Sequence, residues 1–313
     1  MPLLRVVLLS LPLALTMRAG VTCDQTVRTR VLDGSVLLQS RVPAIDPPVF
    51  DIPRNLYAPP FDRSPNESFK IHLEGDRLVR IGKHASTIYD LKARSVTVVQ
   101  AKGHTYSVET FDGAQHRLGA LLKDWRPPLG TNGKYTIEVQ KTGETRRIQD
   151  QTAEEYRIIA ITLYEGQRLV AGSSIYWMVA KPPSDELAAF RVKWSRECGL
   201  PFPGMPATGG NPSVFGAMAS AASKLTGYPI LFVVESRPLP FPGLGRITGS
   251  PADYVAARNS LPEIPVDYWD RFSLRIDVTE TAFSGFVAGA VDPSVFAVPA
   301  GYKKKNGRRY MLD

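Results

Sequence analysis

The chain has 313 residues, and its 43% hydrophobic and 22% charged residues are typical of a folded globular protein, which excludes a disordered or fibrous one. Its 25 glycines and 26 prolines indicate many turns and argue against an all-helical bundle. The formal net charge of +8 is modest and partly local to the last residues of the chain. The basic residues elsewhere are mixed with acidic ones, a pattern that argues against a nucleic-acid partner.

Residues 1–22 are predicted to be a secretory signal peptide. Arg5 supplies a positive charge, and the apolar stretch that follows it is too short to span a bilayer as a helix. The small residues Ala19 and Gly20 lie near the expected cleavage point, although Arg18 precedes them. A buried N-terminal strand is the alternative interpretation. Export would place the protein in the periplasm or outside the cell.

The chain has two cysteines, Cys23 and Cys198. In an oxidising compartment they are candidates for one disulfide between the N-terminus and the C-terminal half. The alternative is lipidation of Cys23 after signal-peptide cleavage, although Val21 and Thr22 depart from the small residues usual before a lipidated cysteine.

Residues 23–67 are predicted to hold an N-terminal strand and a proline-rich loop. The prolines exclude a helix or a central strand over most of this segment. Phe50, Tyr57 and Phe61 lie between the prolines and favour a surface loop held against the body by its aromatic rings, and a polyproline ligand is the alternative. No later stretch is long and apolar enough for a membrane helix.

Residues 68–302 are predicted to form one domain with a mainly antiparallel sheet. Phe69–Leu73 alternates apolar and polar residues, Glu74–Asp76 is a turn, and Arg77–Ile81 resumes the alternation. Short connections between such runs indicate hairpins. The predicted strands are 69–73, 77–81, 86–91, 95–99, 105–108, 134–139, 156–163, 174–179, 228–235, 272–278 and 294–299.

Helices are predicted near 184–198 and 213–226. The first has Ser184 as N-cap, acidic residues in its first turn and apolar residues at helical spacing. The second is rich in alanine and ends at Gly227. Residues 238–265 are rich in proline and glycine and are predicted to be an insertion. The predicted fold class is α+β, mainly antiparallel β.

Three motifs resemble an uncharacterised family of exported bacterial proteins, which is described only as a domain of unknown function. They are the strand run Ile88–Val99 with Thr105-Tyr106 after it, Trp177 before a helix that is followed by Gly227-Tyr228-Pro229, and the terminal segment Phe296–Tyr302. The resemblance covers roughly Ser68 to Tyr302. Because its motifs are structural, it indicates lineage more than activity.

The strand order is also similar to that of periplasmic lipoprotein carriers and mycobacterial lipoproteins. In that architecture a curved sheet, or half-barrel, is covered by two or more helices and encloses an apolar cavity for acyl chains. The resemblance therefore implies a curved sheet under helices, although fold alone does not imply function.

Catalytic motifs are absent from the sequence. It has no G-x-S-x-G elbow, H-E-x-x-H, phosphate-binding loop or C-x-x-C, so no enzyme activity, catalytic residue, metal or cofactor is predicted. A metal site could form only if His72, His84, His104 and His116 met across hairpins, and no two of them show ligand spacing on one element. A glycosidase would need two carboxyl groups facing across a cleft.

Six aromatic residues are predicted to gather where the sheet meets the helices. They could line a site for a lipid or another apolar ligand, and plain core packing is the alternative. These candidate ligand-binding residues are Tyr176, Trp177, Phe190, Trp194, Phe215 and Phe232.

The sequence thus predicts an exported, non-enzymatic protein of the bacterial envelope that binds a lipid or another apolar ligand. The alternative is a structural or protein-interaction module of the envelope that acts through the proline-rich loop and the basic tail, residues 303–313. The basic residues of that tail could also contact an anionic membrane surface, and a solvated terminus without a partner is the simpler interpretation. They are Lys303, Lys304, Lys305, Arg308 and Arg309.

Overall fold

The computed structural model describes residues 20–33, 66–116, 134–164, 167–198, 212–236 and 275–305. The predicted signal peptide up to residue 19, the proline-rich segment 34–65, the insertion 238–265 and the end of the basic tail, 306–313, lie outside the described residues.

The described residues form one sheet of 12 strands. The strands are β1 (Gly20–Asp33), β2 (Glu67–Glu74), β3 (Arg77–Ile81), β4 (Ala85–Asp90), β5 (Ser95–Gln100), β6 (Thr105–Thr110), β7 (Thr136–Ile148), β8 (Gln151–Tyr164), β9 (Gln167–Val179), β10 (Tyr228–Ser236), β11 (Arg275–Gly289) and β12 (Lys303–Lys304). Their order across the sheet is β12-β6-β5-β4-β3-β2-β1-β11-β10-β9-β8-β7.

The predicted mainly antiparallel sheet is confirmed, and the described residues are mainly β with few helices, where an α+β class was expected. Every neighbouring pair is antiparallel except β12 with β6. The sheet is open and not strongly curled, so the expected half-barrel is not found. Among the described strands, β7 and β12 form the two ends of the strand order, and no ladder joins them.

Strand β1 lies in the middle of the sheet, between β2 and β11. Because successive side chains of a strand point to opposite faces, Val21, Cys23 and Gln25 share one face, and all three are buried. Residues 20–22 were predicted to belong to the signal peptide, but the structure places them in this strand.

Two helices of seven or more residues lie in the described ranges, close to the predicted positions. Helix α1 (Asp185–Cys198) begins after Ser184, whose Oγ accepts a hydrogen bond of 3.2 Å from the backbone N–H of Leu187 and so acts as the predicted N-cap. Helix α2 (Pro212–Ala222) packs against β8 and β7. A Cβ at Gly172 of β9 would come 3.2 Å from Met218 Sδ, so the missing side chain makes room for α2.

The main apolar core lies between these helices and one face of the sheet, which we call the inner face. Helix α1 turns Leu187, Phe190, Trp194 and Cys198 towards this core at helical spacing. The sheet contributes alternate residues of its central strands, as expected when one face is covered. None of the helices in the described segments is both long and apolar enough to cross a membrane.

The C-terminal segment covers part of the opposite, outer face. There Val291 and Phe296 pack with Val79, Ile88 and Val99 in a second, smaller core cluster. The strand predicted at 294–299 is wrong. A 3-10 helix, Pro293–Phe296, forms instead, because Asp292 caps it by accepting a 2.9 Å hydrogen bond from the backbone N–H of Ser294.

Two further boundaries differ from the sequence prediction. Strand β11 continues to Gly289, beyond the predicted end at residue 278. The tail predicted from residue 303 begins as β12, whose residues pair with Thr105 and Tyr106 of β6. Lys303 and Lys304 are therefore held at the edge of the sheet by backbone hydrogen bonds.

Candidate functional site

Two of the six predicted ligand-binding aromatics lie on α1 and pack into a group of four rings. Trp194 stands edge-on to Tyr89 and to Phe111, with ring centroids 5.3 and 5.2 Å apart, and lies 6.3 Å from Phe190 in a stacked arrangement. Phe190, Trp194 and Phe111 are at most 2% exposed. This geometry is that of a packed core, in which aromatic pairs add stabilisation beyond their buried area.

A second ring group lies on the inner face of the sheet. Tyr176 of β9 stacks on its cross-strand partner Phe232 of β10 with centroids 6.1 Å apart, and Phe232 contacts Phe283 of β11 at 6.5 Å. All three residues are buried. These rings form the aromatic part of the core at strands β9–β11, and the four-ring group forms the aromatic part beside α1.

The other two predicted residues are Trp177 and Phe215. Trp177 follows Tyr176 directly in β9, so its side chain leaves the strand on the opposite side. It is partly buried against the main core, and the guanidinium of Arg146 lies 4.3 Å from the centre of its ring. Phe215 belongs to α2, but its side chain lies outside the described part of the structure. Four of the six predicted aromatics therefore lie in the two ring groups of the main core, and the described contacts place Trp177 in neither group.

The inner side of α1 also carries a cation that the sequence prediction missed. Arg191 is half-buried, and its guanidinium carbon lies 5.7 Å from the ring centre of Tyr228, the first residue of β10. Burial lowers the pKa of Arg191, and Tyr228 and Tyr176 raise it to a smaller extent. No carboxylate contributes to that pKa, and among the described residues the guanidinium forms no ion pair.

The two tyrosines around Arg191 keep their hydroxyl protons. Burial raises the pKa of Tyr228 and of Tyr176 above the ordinary value of 10.0. Both hydroxyls can therefore act as hydrogen-bond donors at neutral pH. Arg191 lies beside the ring of Tyr228 and interacts electrostatically with both tyrosines, and we call these three residues the Arg191 site.

The spacing of residues on α1 places Arg191 on the buried side of the helix but does not reveal its contact with Tyr228. Residues 187, 191, 194 and 198 follow one another at helical intervals, so a basic residue stands in the middle of the apolar stripe. Long basic side chains at such positions usually extend their charged end towards solvent. That general behaviour is why the pattern gave no signal for a binding residue.

The outer face of β8–β10 carries buried polar side chains. Ser173 donates a hydrogen bond to Glu235, and Arg157 Nε donates one of 2.9 Å to Glu155. Glu155 and Leu231 both pair with the same residue of β9, so they lie at the same level across the sheet. Glu235 lies four residues after Leu231 in β10. The two glutamates are therefore separated by about 13 Å in the strand direction. A glycosidase needs its carboxyl pair within about 10 Å. These two carboxylates therefore do not form such a pair.

The histidines do not come together as a metal site. His72 lies on β2, where its Nδ1 is 3.0 Å from Thr22 Oγ1, and burial lowers its pKa. His84 and His104 lie in two turns at one end of the sheet, and His116 lies in the short helical segment 111–116. Across the described ranges, no three His, Cys, Asp or Glu side chains are placed to hold a metal ion.

Both cysteines are buried, and neither forms a disulfide in the structure. The disulfide expected between Cys23 and Cys198 is therefore not formed there, although both side chains belong to the same main core. Burial raises the pKa of Cys23 to about 12, so its thiol stays protonated and unreactive at neutral pH. Lipidation of Cys23 would require this buried strand residue to become an exposed N-terminus, and its position argues against that alternative.

Comparisons with known proteins give no family. No protein-family model matches the chain, and no curated protein matches it either. The resemblances to an exported bacterial family and to lipoprotein carriers therefore stay predictions.

Proposed function

We propose that the chain is an exported, non-enzymatic protein of the bacterial envelope that binds an amphipathic ligand with an acidic head group. The ligand would lie between the inner face of the sheet and the helices, with its head group at the Arg191 site. The expected carrier-like architecture, a sheet covered by helices over an apolar interior, is part of this proposal.

The observation that carries the proposal is the placement of Arg191. Taking a guanidinium partly out of water costs free energy unless a partner compensates for it. The described residues supply only the ring and hydroxyl of Tyr228 and the hydroxyl of Tyr176. A carboxylate or phosphate would provide the missing charge, and guanidinium binds both of these groups in a forked geometry.

The aromatic rings near Arg191 supply the apolar part of the proposed binding site. Tyr176, which interacts electrostatically with Arg191, stacks on Phe232 and so belongs to the ring group on the inner face of the sheet. A ligand whose acidic end reached Arg191 would therefore have its apolar part near aromatic carbon. This combination is typical of binding sites that are mostly apolar with a few placed polar groups.

Binding of a fluorescent long-chain fatty acid, compared with the matching fatty alcohol, tests the proposal. Arg191→Gln removes the charge, and Arg196→Gln is the matched control, because Arg196 lies on the same helix and is exposed. Since a hydrogen bond to a charged group contributes about 1.5–3 kcal/mol, we expect Arg191→Gln to bind the acid about 10-fold to 100-fold more weakly. Its affinity for the alcohol should not change.

Two results would reject the proposal. Equal losses for acid and alcohol would mean that Arg191 only maintains the fold. No binding by the parent, together with no lipid in native mass spectra of protein purified from its own envelope fraction, would leave the interaction module as the better function. Export is tested separately by fusing residues 1–25 to a reporter that is active only outside the cytoplasm.

A further inference from the structure

Three separate segments bring basic side chains to one end of the sheet. They are the β3–β4 turn, the β5–β6 turn and the segment that includes β12. The backbone N–H of Ala101 donates a 3.1 Å hydrogen bond to the carbonyl of His84, and that of Lys303 donates a 2.9 Å hydrogen bond to the carbonyl of His104. The set, which we call the basic corner, consists of Lys83, His84, Lys102, His104, Lys303, Lys304 and Lys305.

The charges of the basic corner are exposed and unbalanced. All seven side chains are exposed, and within the part of the chain that the structure describes none of the five lysines forms an ion pair. Residues 82–86, 100–106 and 298–305 include no acidic residue. Glu67, at the start of β2, is a carboxylate at the same end of the sheet. Like charges held this close together repel one another and create a positive potential that attracts an anionic partner.

The positions of these charges are set by the fold. Lys305 donates its backbone N–H to the carbonyl of Tyr106 at 2.8 Å, so the lysine run is attached to β6 on both sides of Lys304. The ring of Tyr302 lies 5.2 Å from that of His104 and joins the C-terminal segment to the β5–β6 turn. The two turns and the edge strand therefore present their charges as one surface.

We propose that the basic corner is a docking surface for anionic membrane lipids. Lysine ammonium groups on flexible side chains suit a surface of mobile lipid head groups. Each basic residue near such a surface adds a similar amount to the binding free energy. This inference uses none of the residues of the Arg191 site, so either proposal can fail without the other.

Sedimentation with vesicles tests the inference. We expect the protein to bind vesicles of phosphatidylcholine with 30% phosphatidylglycerol at low salt, and to be released by about 0.5 M NaCl. The test variant combines Lys83→Gln, Lys102→Gln and Lys304→Gln. At about fivefold per lysine, its affinity should fall roughly 100-fold.

The control variant loses the same net charge elsewhere. It combines Lys92→Gln, Lys181→Gln and Lys224→Gln, all of which are exposed, with Lys92 in a turn at the other end of the β2–β6 strands. This variant should keep most of the parent's affinity. Equal losses in the two variants would show that net charge alone is responsible and would overturn the proposal.

Two other outcomes would also overturn it. Equal binding to vesicles of phosphatidylcholine alone would mean that apolar contacts, not the basic corner, carry the interaction. Retention on heparin without any binding to the anionic vesicles would assign the corner to a soluble polyanion instead of a lipid surface.

Discussion

Replacing Gly227 with alanine should destabilise the protein strongly. Gly227 lies directly before β10 with φ of +99°, a conformation that residues with a side chain rarely adopt. A Cβ there would lie 2.5 Å from the carbonyl oxygen of Val179, the last residue of β9. That oxygen belongs to the backbone of a paired strand, so it cannot rotate away from the new atom.

Two costs add together in this variant. Strain of the backbone is worth about 1–3 kcal/mol, and forcing an extra carbon into a packed site costs a similar amount. We therefore expect the free energy of unfolding to fall by about 2–5 kcal/mol. At a slope of about 2 kcal/mol per molar urea, a loss of 3 kcal/mol lowers the unfolding midpoint by about 1.5 M.

Gly216 provides the matched control. It lies inside α2, and a Cβ there would meet no atom within 4 Å. Gly216→Ala should therefore stabilise the protein by about 0.5–1 kcal/mol, because alanine favours the helix. Urea unfolding followed by circular dichroism measures both variants. If Gly227→Ala had the parent's midpoint, the assigned conformation of this turn would be wrong.

Other variants and conditions test other parts of the structure. Both cysteines should resist alkylation in the folded protein and react in denaturant without any reductant, whereas a bridge would block them until reduction. In the folded protein the pKa of Cys23 is raised from 9.0 to about 12, so its contribution to the free energy of unfolding should be fully present below pH 9. Above pH 9 that free energy should fall by up to about 1.4 kcal/mol per pH unit. In urea titrations Cys23→Ala should reduce this slope. Arg80→Met removes the 2.6 Å hydrogen bond from Arg80 to the buried Gln25 Oε1 and should cost about 1–3 kcal/mol, and an unchanged midpoint would contradict that contact. Phe296→Ala should lower the thermal midpoint through a loss of about 3–5 kcal/mol, since Phe296 anchors the C-terminal segment on the outer face.

The local part of the fold could be predicted from the sequence. Hairpins β2–β6 have alternating residues and short turns, and helix α1 has its cap and apolar stripe, so each of these elements is encoded within a few residues. Strand β7 was predicted to end at residue 139 and continues to Ile148. Its second half is polar and exposed, and it is a strand because its backbone pairs with β8. Backbone pairing of an exposed strand does not require alternating apolar and polar residues, so the sequence gives no strand pattern there.

The candidate site was only partly predictable. The sequence indicates that aromatic residues collect between sheet and helices, and Phe190, Trp194, Tyr176 and Phe232 are all there. Strand periodicity alone would have placed Trp177 opposite Tyr176. The Arg191 site depends on Tyr228 being brought against α1 by the sheet, which is a long-range contact that no local pattern contains.

The central position of β1 has a consequence for the order in which the chain can fold. Strands β2–β6 form one run of neighbours and β7–β11 another, and within the described sheet β1 alone joins the two runs. Thr29 on β1 bonds to Thr279 on β11, 250 residues later. Strands β2–β6 can assemble through short loops. Strand β1 is synthesised before them, but its edge towards β11 stays uncovered until β11 has been made. Closing so long a loop is slow, so the exposed edge of β1 should be the surface most in need of protection while the protein folds.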